Sequence, residues 1–243
     1  MSPATNDILI MHSSDLHIDD GYTMRAWGGD GNRPLEVVIQ TAKFQAADIL
    51  LLTGDVFEHN RLKPNILNRT RSLLENAQVR IVMLPGNHDP LTPNSVWRRA
   101  ELEKIENVHV LGLNENLAEF PEFDLHIWGR PHSDYTDMAP LKGAPARAAL
   151  YHIVAAHGHY VDRRPPDDQQ RASWLITAEE IKAAQGDYVA LGHWNVQTKV
   201  GLPGAHAHYS GAPDYAGTVN LVRLSTVSEP TVKQVPVLGL PTT

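Results

Sequence analysis

The feature that most constrains this chain is a pattern that occurs five times: a run of apolar residues followed within a few positions by Asp, His or Asn. Short apolar runs of this kind are typical of strands buried on both faces. In an open α/β sheet the chemistry lies beyond the carboxyl ends of the strands, so five such ends predict one shared site. The runs are residues 8–11 before Asp15 and His17, 49–52 before Asp55, 81–84 before Asn87 and His88, 153–156 before His157, and 188–191 before His193 and Asn195.

Strand-like and helix-like segments alternate at short spacing in the first half of the chain, which is typical of parallel βαβ units. Residues 21–32 show no periodicity and predict a loop. The predicted strands are residues 8–12, 48–53, 79–84 and 108–111, and the predicted helices are 34–46, 63–76 and 95–105.

The second half is richer in strands and partly antiparallel in character. Its predicted strands are residues 125–128, 151–156, 188–191, 198–200, 206–210, 217–224 and 231–237, with one helix at 177–184. We therefore expect an α/β fold of two packed mixed β-sheets flanked by helices, a four-layer α/β/β/α sandwich, formed by a single domain over residues 1–243.

The composition excludes several classes of protein. The chain has no cysteine, which excludes disulfides and thiolate metal sites, and its 13 histidines favour imidazole chemistry. No apolar run approaches the roughly 18 residues of a membrane span, and the first residues lack the basic start and apolar core of a signal peptide, so we expect a cytoplasmic protein. The net charge of -7 does not suit a stand-alone nucleic-acid binder of high affinity, although bound divalent cations would weaken that argument.

The side chains after the five runs form a mixed nitrogen and oxygen donor set. Alternate residues of an extended segment point to the same side, so Asp15 and His17 are expected to hold one cation. The carboxylate of Asp55 is a candidate bridge between two cations. The remaining donors are the amide oxygen of Asn87 and the imidazoles of His157 and His193. Such a set suits Mn²⁺, Fe, Zn²⁺ or Mg²⁺, and phosphoester hydrolysis is the reaction that most needs a metal pair.

The motifs occur in a fixed order: Asp15-x-His17, Gly54-Asp55, Gly86-Asn87-His88-Asp89, His157 and Gly192-His193-x-Asn195. In combination they resemble the signature of the calcineurin-like metallophosphoesterase superfamily. The later segment Tyr209-Ser210-Gly211-Ala212-Pro213 and the two strands after it are similar, more loosely, to the end of the catalytic core in SbcD-type DNA-repair exonucleases.

The resemblance implies a division of roles among these residues. One metal ion would be held by Asp15, His17 and Asn195 and the other by Asn87, His157 and His193, with Asp55 bridging them. His88 would act near the leaving group, as general acid or as a stabiliser of the transition state, and Asp89 would orient it. The nucleophile would be a metal-bound hydroxide, so no covalent enzyme intermediate is implied.

Two positions depart from the family pattern. The last motif usually ends in His, whereas this chain has Asn195, a poorer donor for most transition metals that favours a harder ion such as Mn²⁺. The nuclease branch usually has His three residues after the bridging Asp, where this chain has Glu58 followed by His59.

These observations favour a metal-dependent phosphoesterase with two divalent ions, Mn²⁺ first among them, that acts on diesters more than on monoesters. A nuclease and a small-molecule diesterase acting on nucleotides or cyclic nucleotides both stay open. Because the sequence ends at Thr243, we expect no extra DNA-binding domain of the kind that the exonuclease subunits have after the core. The alternative from another class is a catalytically silent binding scaffold of the same fold, which Asn195 favours.

Residues outside the expected ligand set supply candidates for substrate contact. The histidines of this kind are His132, His159, His206 and His208, of which His159 is the strongest because it follows His157 by two residues. Trp194, between two predicted ligands, is a candidate base-stacking residue, and Arg163 and Arg164 are candidates for phosphate contact.

Overall fold

The structure is a computed structural model that describes residues 7–162 and 174–239, so the candidate phosphate contacts Arg163 and Arg164 lie outside the described residues. The strands are β1 (Ile8–Ser13), β2 (Ile49–Thr53), β3 (Arg80–Leu84), β4 (Val108–Val110), β5 (Leu117–Phe120), β6 (Leu125–Gly129), β7 (Tyr151–His157), β8 (His159–Val161), β9 (Leu175–Thr177), β10 (Tyr188–Gly192), β11 (Thr198–Val200), β12 (Ala207–Tyr209), β13 (Thr218–Ser225) and β14 (Ser228–Pro236). The helices are α1 (Gly21–Ala26), α2 (Arg33–Phe44), α3 (Pro64–Glu75), α4 (Val96–Arg99), α5 (Ala178–Ala183) and α6 (Pro213–Ala216), with 3₁₀ turns at Leu102–Lys104 and Pro121–Phe123. No helix among the described residues combines the length and the apolar character needed to cross a bilayer.

Two six-stranded mixed sheets form the centre of the molecule. The first has the order β14-β13-β1-β2-β3-β4 and the second the order β11-β12-β10-β7-β6-β5, while β8 pairs with β9 apart from both. In the first sheet β1 to β4 are parallel and β13 and β14 are antiparallel. In the second, β12, β10, β7 and β6 are parallel and the outer strands β5 and β11 are antiparallel. The predicted α/β fold of two mixed sheets is confirmed.

Alternate residues of the central strands enter different apolar layers. In β2, Ile49 and Leu51 pack between the two sheets, whereas Leu50 and Leu52 pack against α2, α3 and α4. Successive side chains of a strand point to opposite faces, so a strand with a sheet on one side and helices on the other is apolar throughout. A third layer, which includes Ile181 of α5, covers the outer face of the second sheet. These three apolar layers separate the four predicted layers of helix, sheet, sheet and helix.

The predicted helix over residues 95–105 is wrong beyond its first turn. Helix α4 ends at Arg99, and Glu101 adopts a left-handed conformation with a φ of 50°. Arg71 donates hydrogen bonds from Nη1 to the carbonyl oxygens of Ala100 (3.0 Å) and Glu101 (2.9 Å). In a continuing helix those carbonyls would accept from amides four residues later. The end of α4 therefore coincides with a contact from Arg71 of α3. The apolar periodicity of residues 95–105 does not reveal such a contact.

The predicted loop over residues 21–32 is also wrong in part, because it contains helix α1. The carboxylate of Asp20 accepts hydrogen bonds from the amides of Tyr22 and Thr23, both at 2.8 Å, and so caps the helix. The other predicted elements lie within three residues of their observed bounds, whereas β5, β8, β9 and α6 are not predicted from the sequence.

A buried histidine joins the two sheets near the edge where the five runs end. His12 of β1 is completely buried. Its Nδ1 lies 2.9 Å from the hydroxyl of Tyr188 in the other sheet, and its Nε2 lies 2.8 Å from Oγ1 of Thr53. Burial, together with the charge of nearby His208, lowers the pKa of His12 to about 3. The ring is therefore neutral at pH 7, with one nitrogen donating and the other accepting.

We predict that the free energy of unfolding decreases at acid pH because of His12. Its pKa is about 3 in the folded protein against an ordinary value of 6.5, so the unfolded chain binds more protons between these values. The contribution of His12 is complete above pH 6.5 and is lost, by up to about 1.4 kcal/mol per pH unit, as the pH falls toward 3. Urea denaturation of the metal-free protein between pH 7 and 4 should therefore show a shallower pH dependence in His12→Asn. The same slope in both proteins would contradict this assignment.

Candidate metal centre

The structure brings the predicted donors from both sheets to one edge. One ligand atom each of Asp15, His17 and Asp55 lie within 4.8 Å of one another, and the same holds for Asp55, His157 and His193. Asp15 and His17 follow β1, Asp55 follows β2, His157 ends β7, and His193 follows β10. Asp55 belongs to both clusters, so its carboxylate would be shared if each cluster held a cation.

The loop after β1 is held against the loop after β2 by backbone hydrogen bonds. The amide of Asp15 donates to the carbonyl oxygen of Gly54 at 3.0 Å, and the amide of His17 donates to that of Asp55 at 3.1 Å. Asp15, His17 and Asp55 have φ values of 56°, 45° and 50°, a left-handed conformation that costs an L-residue roughly 1–2 kcal/mol. The extended segment expected for Asp15 and His17 is therefore wrong, although both side chains reach the same cluster. Backbone strain of this kind is concentrated at functional sites.

The imidazole of His157 faces oxygen atoms on both sides. Its Nδ1 lies 2.9 Å from the carbonyl oxygen of Thr53, which only accepts hydrogen bonds, so Nδ1 has the proton of the neutral ring. Its Nε2 lies 3.0 Å from Oδ1 of Asn87 and 3.1 Å from Oδ2 of Asp55. His193 approaches the same amide oxygen, with its Nδ1 3.1 Å from Oδ1 of Asn87. A lone pair on Nε2 beside two oxygens is repulsive unless a proton or a cation lies among them.

These donors fit divalent cations. The carboxylates of Asp15 and Asp55 are each 2% exposed, and burying two carboxylates side by side is unfavourable unless positive charge lies beside them. Imidazole nitrogens and carboxylate and amide oxygens are ligands that Mn²⁺, Fe and Zn²⁺ accept. The orientation of the His157 ring and the chemistry of its neighbours are therefore those of a metal-binding site.

Charge coupling shifts the pKa values of these groups strongly in the metal-free protein. Burial opposes ionisation of Asp55, but the neighbouring His157 outweighs it and holds the pKa of Asp55 below its usual range. Burial likewise opposes protonation of His157, but Asp55 and Asp15 raise the pKa of His157 to about 9. Burial and the charge of His157 lower the pKa of His193 to about 3. In the metal-free protein His157 therefore has a second proton, on Nε2, which faces Asn87 and Asp55. A cation bound by Nε2 would displace this proton, so metal binding is expected to release protons.

Glu58 contacts two of the predicted site residues, a role that its sequence context did not predict. Its carboxylate accepts a hydrogen bond from Nδ1 of His17 at 2.8 Å and lies 3.5 Å from Nδ1 of His88. The hydrogen bond with Glu58 raises the pKa of His88 to about 9. Burial opposes ionisation of Glu58, but its hydrogen bond with His17 and its close contact with His88 lower the pKa of Glu58 to about 2. The available signal was its position three residues after Asp55, where the sequence departs from the family pattern.

Asp89 holds the loop that precedes it and does not orient His88. Its Oδ1 accepts a hydrogen bond from the amide of Gly86 at 2.6 Å, and its Oδ2 accepts one from the amide of Phe57 at 2.9 Å. The side chain is completely buried. Among the described residues, the carboxylate beside the ring of His88 is that of Glu58. The expected contact between Asp89 and His88 is therefore replaced by a contact between Asp89 and the backbone.

Asn195 is exposed, whereas the other predicted metal ligands are buried or half-buried. Its backbone oxygen accepts a hydrogen bond from the amide of Ala212 at 3.2 Å. Asn195 lines a cleft together with His17 and Glu58, and its carboxamide has no hydrogen-bond partner among the described residues. The structure thus places it on the cleft that His17 also lines, with its amide oxygen unengaged.

Two aromatic rings outside the predicted ligand set lie against His193. The ring centroids of Trp174 and His159 are 5.9 Å and 6.1 Å from that of His193. His159 accepts a hydrogen bond at Nδ1 from Nε1 of Trp194 at 3.0 Å, and Trp194 stacks on Tyr209 at 4.4 Å. His159 therefore lies at the edge of the site, and one face of Trp194 is used in packing rather than left free for a base.

The other candidate histidines do not line the open site. His132 is completely buried, with Nε2 2.8 Å from the backbone oxygen of His157. His208 is buried and stacks on Tyr188, and His206 lies 3.6 Å from the carboxylate of Glu229. The expected substrate contacts of His132 and His208 are wrong, because burial excludes them.

Gly54 allows His157 to approach the loop after β2. A Cβ on Gly54 would lie 2.1 Å from Nδ1 of His157, and the φ of Gly54 is +88°. Gly204 has the same φ of +88°, but a Cβ there would have no atom within 4 Å. Alanine at Gly204 would introduce backbone strain alone, whereas alanine at Gly54 would introduce the same strain and also displace the ring of His157.

We predict that Gly54→Ala destabilises the protein much more than Gly204→Ala. Gly204→Ala, the control, should lower the free energy of unfolding only by the cost of the left-handed backbone, roughly 1–2 kcal/mol. Gly54→Ala should lower the free energy of unfolding by at least about 2 kcal/mol more, because the ring of His157 must leave its position. Urea denaturation of both variants measures the difference. Equal losses would mean that the close approach of His157 does not contribute to the native state.

A family model described as calcineurin-like phosphoesterase matches residues 8–226, which include every predicted site residue. In Escherichia coli (strain K12), the SbcD subunit of the nuclease SbcCD is 23% identical over 277 aligned residues, which cover 96% of this chain and 68% of that one. The protein of the same name in Bacillus subtilis (strain 168) is 23% identical over 275 residues, covering 93% and 68%. Among solved structures, TT1561 of Thermus thermophilus superposes with a TM-score of 0.60 at 14% identity, covering 94% of this chain and 98% of that one, a likeness that extends to the fold alone.

Proposed function

Because the chain belongs to the calcineurin-like phosphoesterase family, we propose that it hydrolyses phosphodiesters with two divalent metal ions held where the two sheets share an edge. Metal-dependent phosphoester hydrolysis is supported by the family, and metal binding by the clustered donors. The number of ions rests on two donor clusters that share Asp55. The diester preference rests on the shape of the clefts beside them.

The proposed ligands divide between the two clusters. Asp15, His17 and Asn195 would hold one ion and Asn87, His157 and His193 the other, with Asp55 common to both sets. A pair of divalent ions supplies an activated water and stabilises negative charge on the attacking and leaving oxygens. The donors are nitrogen and oxygen only, and an amide stands at both Asn87 and Asn195, which favours Mn²⁺ over softer ions; Fe, Zn²⁺ and Mg²⁺ are the alternatives.

His88 is our candidate for the group that protonates the leaving-group oxygen. Its Nδ1 faces the backbone oxygen of Glu58 at 3.2 Å and the carboxylate of Glu58 at 3.5 Å, which leaves Nε2 for the substrate. The side chain is 40% exposed, so a substrate has access to it. Glu58 favours the protonated ring, and a protonated Nε2 beside the leaving group is a general acid.

Two clefts that meet at Glu58 are the observation that supports a diester most directly. One has a volume of about 190 Å³ and is lined by His17 and Asn195. The other has a volume of about 570 Å³ and is lined by Asn87 and His88. A diester has an organic group on each of two oxygens, whereas a monoester has one. Space on both sides of the His17–Glu58–His88 cluster therefore suits a diester.

Exposed aromatic rings in both clefts favour a substrate that contains nucleotides. Tyr22 and Tyr215 line the smaller cleft and Tyr135 lines the larger one, and all three are more than half exposed. Exposed aromatic rings stack on bases regardless of sequence. The name of the nuclease relatives supports the same substrate class.

We predict Mn²⁺-dependent hydrolysis of bis-p-nitrophenyl phosphate that exceeds hydrolysis of p-nitrophenyl phosphate and stops when EDTA is added. His88→Ala should lower kcat, by about 100-fold or more for the dinucleotide TpT. The loss should be smaller for bis-p-nitrophenyl phosphate, because p-nitrophenolate leaves without a proton. His109→Ala, in β4 and outside both clefts, is the control and should keep wild-type rates.

Chelator-insensitive turnover, or faster cleavage of the monoester, would refute the proposed reaction. Equal losses with both diesters in His88→Ala would refute the role of general acid and favour stabilisation of the transition state.

We predict that the wild-type protein binds about two Mn²⁺ ions per chain and that Asp55→Asn binds fewer, because the bridging carboxylate serves both ions. Glu106→Gln, an exposed carboxylate at the opposite ends of the strands, should bind as wild type does. Calorimetric titration with elemental analysis gives the stoichiometry. Unchanged binding in Asp55→Asn would refute the bridge, and two bound ions without turnover of either ester would favour the silent scaffold.

A further inference from the structure

The larger cleft contains a cation with no ion-pair partner among the described residues. Its lining is Glu58, His59, Arg61, Asn87, His88 and Tyr135. We propose that Arg61 binds a second phosphate of the substrate, located on the leaving group. This inference rests on the proposed phosphodiesterase function, and it identifies the substrate as a diester whose leaving group has a further phosphate.

Arg61 differs from most arginines of the described residues in its lack of an ion pair. Its side chain is exposed, and no described carboxylate lies within 4.0 Å of its guanidinium. The arginines that do pair with carboxylates are Arg33, Arg69, Arg71, Arg80, Arg147 and Arg223. The acidic residue that lines the same cleft is Glu58, and its carboxylate is engaged with His17 and His88. The guanidinium is therefore free to take an anionic group.

The backbone on both sides of Arg61 is held in place by other parts of the chain. Asn60 donates from Nδ2 to the carbonyl oxygen of Pro90 at 2.8 Å and accepts at Oδ1 from the amide of Val96 at 2.9 Å. The guanidinium of Arg99 donates to the carbonyl oxygens of Asn60 at 3.0 Å and Leu62 at 2.6 Å. The segment is thus fixed before substrate arrives, and less ordering is needed when Arg61 binds.

The charges of the two clefts decide on which side a second phosphate fits. The smaller cleft includes Asp20 and Asp214, whose carboxylates would repel it. The larger cleft has Arg61, and its Tyr135 is 58% exposed with its hydroxyl 3.3 Å from Nδ2 of Asn60. His88, the proposed acid, lines this larger cleft, so the group bound there is the leaving group.

This arrangement discriminates between the nucleotide substrates that the sequence leaves open. A cyclic nucleotide has one phosphate, and its leaving oxygen belongs to the same ring. An oligonucleotide, or a dinucleotide with a terminal phosphate, has a second phosphate on the leaving group. A guanidinium recognises that phosphate through charge-assisted hydrogen bonds. The structure favours the second kind of substrate.

The test compares the dinucleotide TpT with its 5′-phosphorylated form pTpT and its 3′-phosphorylated form TpTp, under Mn²⁺. We expect one phosphorylated form to exceed TpT in kcat/KM by about tenfold, through a lower KM. The ratio of kcat/KM between the preferred phosphorylated form and TpT should fall toward one in Arg61→Gln. In Arg61→Lys, which keeps the positive charge, the ratio should fall less. Arg98→Gln, which removes an exposed arginine outside the cleft, is the matched control and should keep both the ratio and the rates. Which form is preferred gives the polarity of the bound strand.

Calorimetry with His88→Ala measures the dissociation constants of the three dinucleotides without turnover. The preferred phosphorylated form should bind more tightly than TpT by a similar factor. Equal values for all three dinucleotides in the wild type, or an unchanged ratio in Arg61→Gln, would refute the phosphate site. Absence of turnover of bis-p-nitrophenyl phosphate and of TpT would refute the proposed function instead. In that case a binding ratio that still depends on Arg61 would support the phosphate site on its own.

Discussion

Asp55 is the residue on which the rest of the site depends, because it joins loops from both sheets. Its backbone oxygen accepts a hydrogen bond from the amide of His17, its Oδ1 accepts one from the amide of His88 at 2.9 Å, and its Oδ2 lies 3.1 Å from Nε2 of His157. A Cβ on Gly86 would lie 2.2 Å from Oδ1 of Asp55, so the loop after β3 approaches as closely as a glycine allows. Asp55, which follows β2, thus links the ends of β1, β3 and β7, through its backbone oxygen for β1 and through its carboxylate for β3 and β7.

The strained backbone and the buried carboxylates of this site are unfavourable by themselves, and the apolar packing around them keeps them in place. Asp15, His17, Asp55 and His193 all have positive φ values, and two of their side chains are carboxylates with almost no access to water. The strands that end there have apolar residues on both faces, packed in the layers between and outside the sheets. Burial of that apolar surface stabilises the fold as a whole and holds the donors in place whether or not a cation is bound. A site preorganised in this way spends little binding energy on ordering its ligands.

Glu58 connects the metal-binding part of the site with the proposed acid. It is hydrogen-bonded to His17 and close to His88, and it lines both clefts. A histidine at this position would not supply the negative charge that accepts from His17 and favours a proton on His88. The departure from the family pattern at residue 58 therefore has a physical role in this chain. At the other departure, Asn195 lies on the smaller cleft with its amide oxygen unengaged.

Much of the fold followed from the sequence because its signals are local. The apolar runs before Asp15, Asp55, Asn87, His157 and His193 predicted buried strands, and all five end at the same edge. Predictions that depended on distant contacts were less successful. The helix expected through residue 105 ends at Arg99, where Arg71 binds the carbonyls that would continue it. Asp89 bonds to the amides of Phe57 and Gly86, and a linear motif does not reveal which side chain a buried carboxylate meets.

The sequence by itself determined most of the strands, the order of the motifs, the types of ligand atom and the edge at which they gather, since apolar periodicity and residue chemistry are properties of short segments. Only the tertiary structure decided that Asp15 and His17 converge through left-handed turns, that Glu58 stands between His17 and His88, and that two clefts of unlike charge meet beside them. The reason is that these features are relations between residues tens of positions apart. The packing of two sheets and the close approach of their loops set those relations.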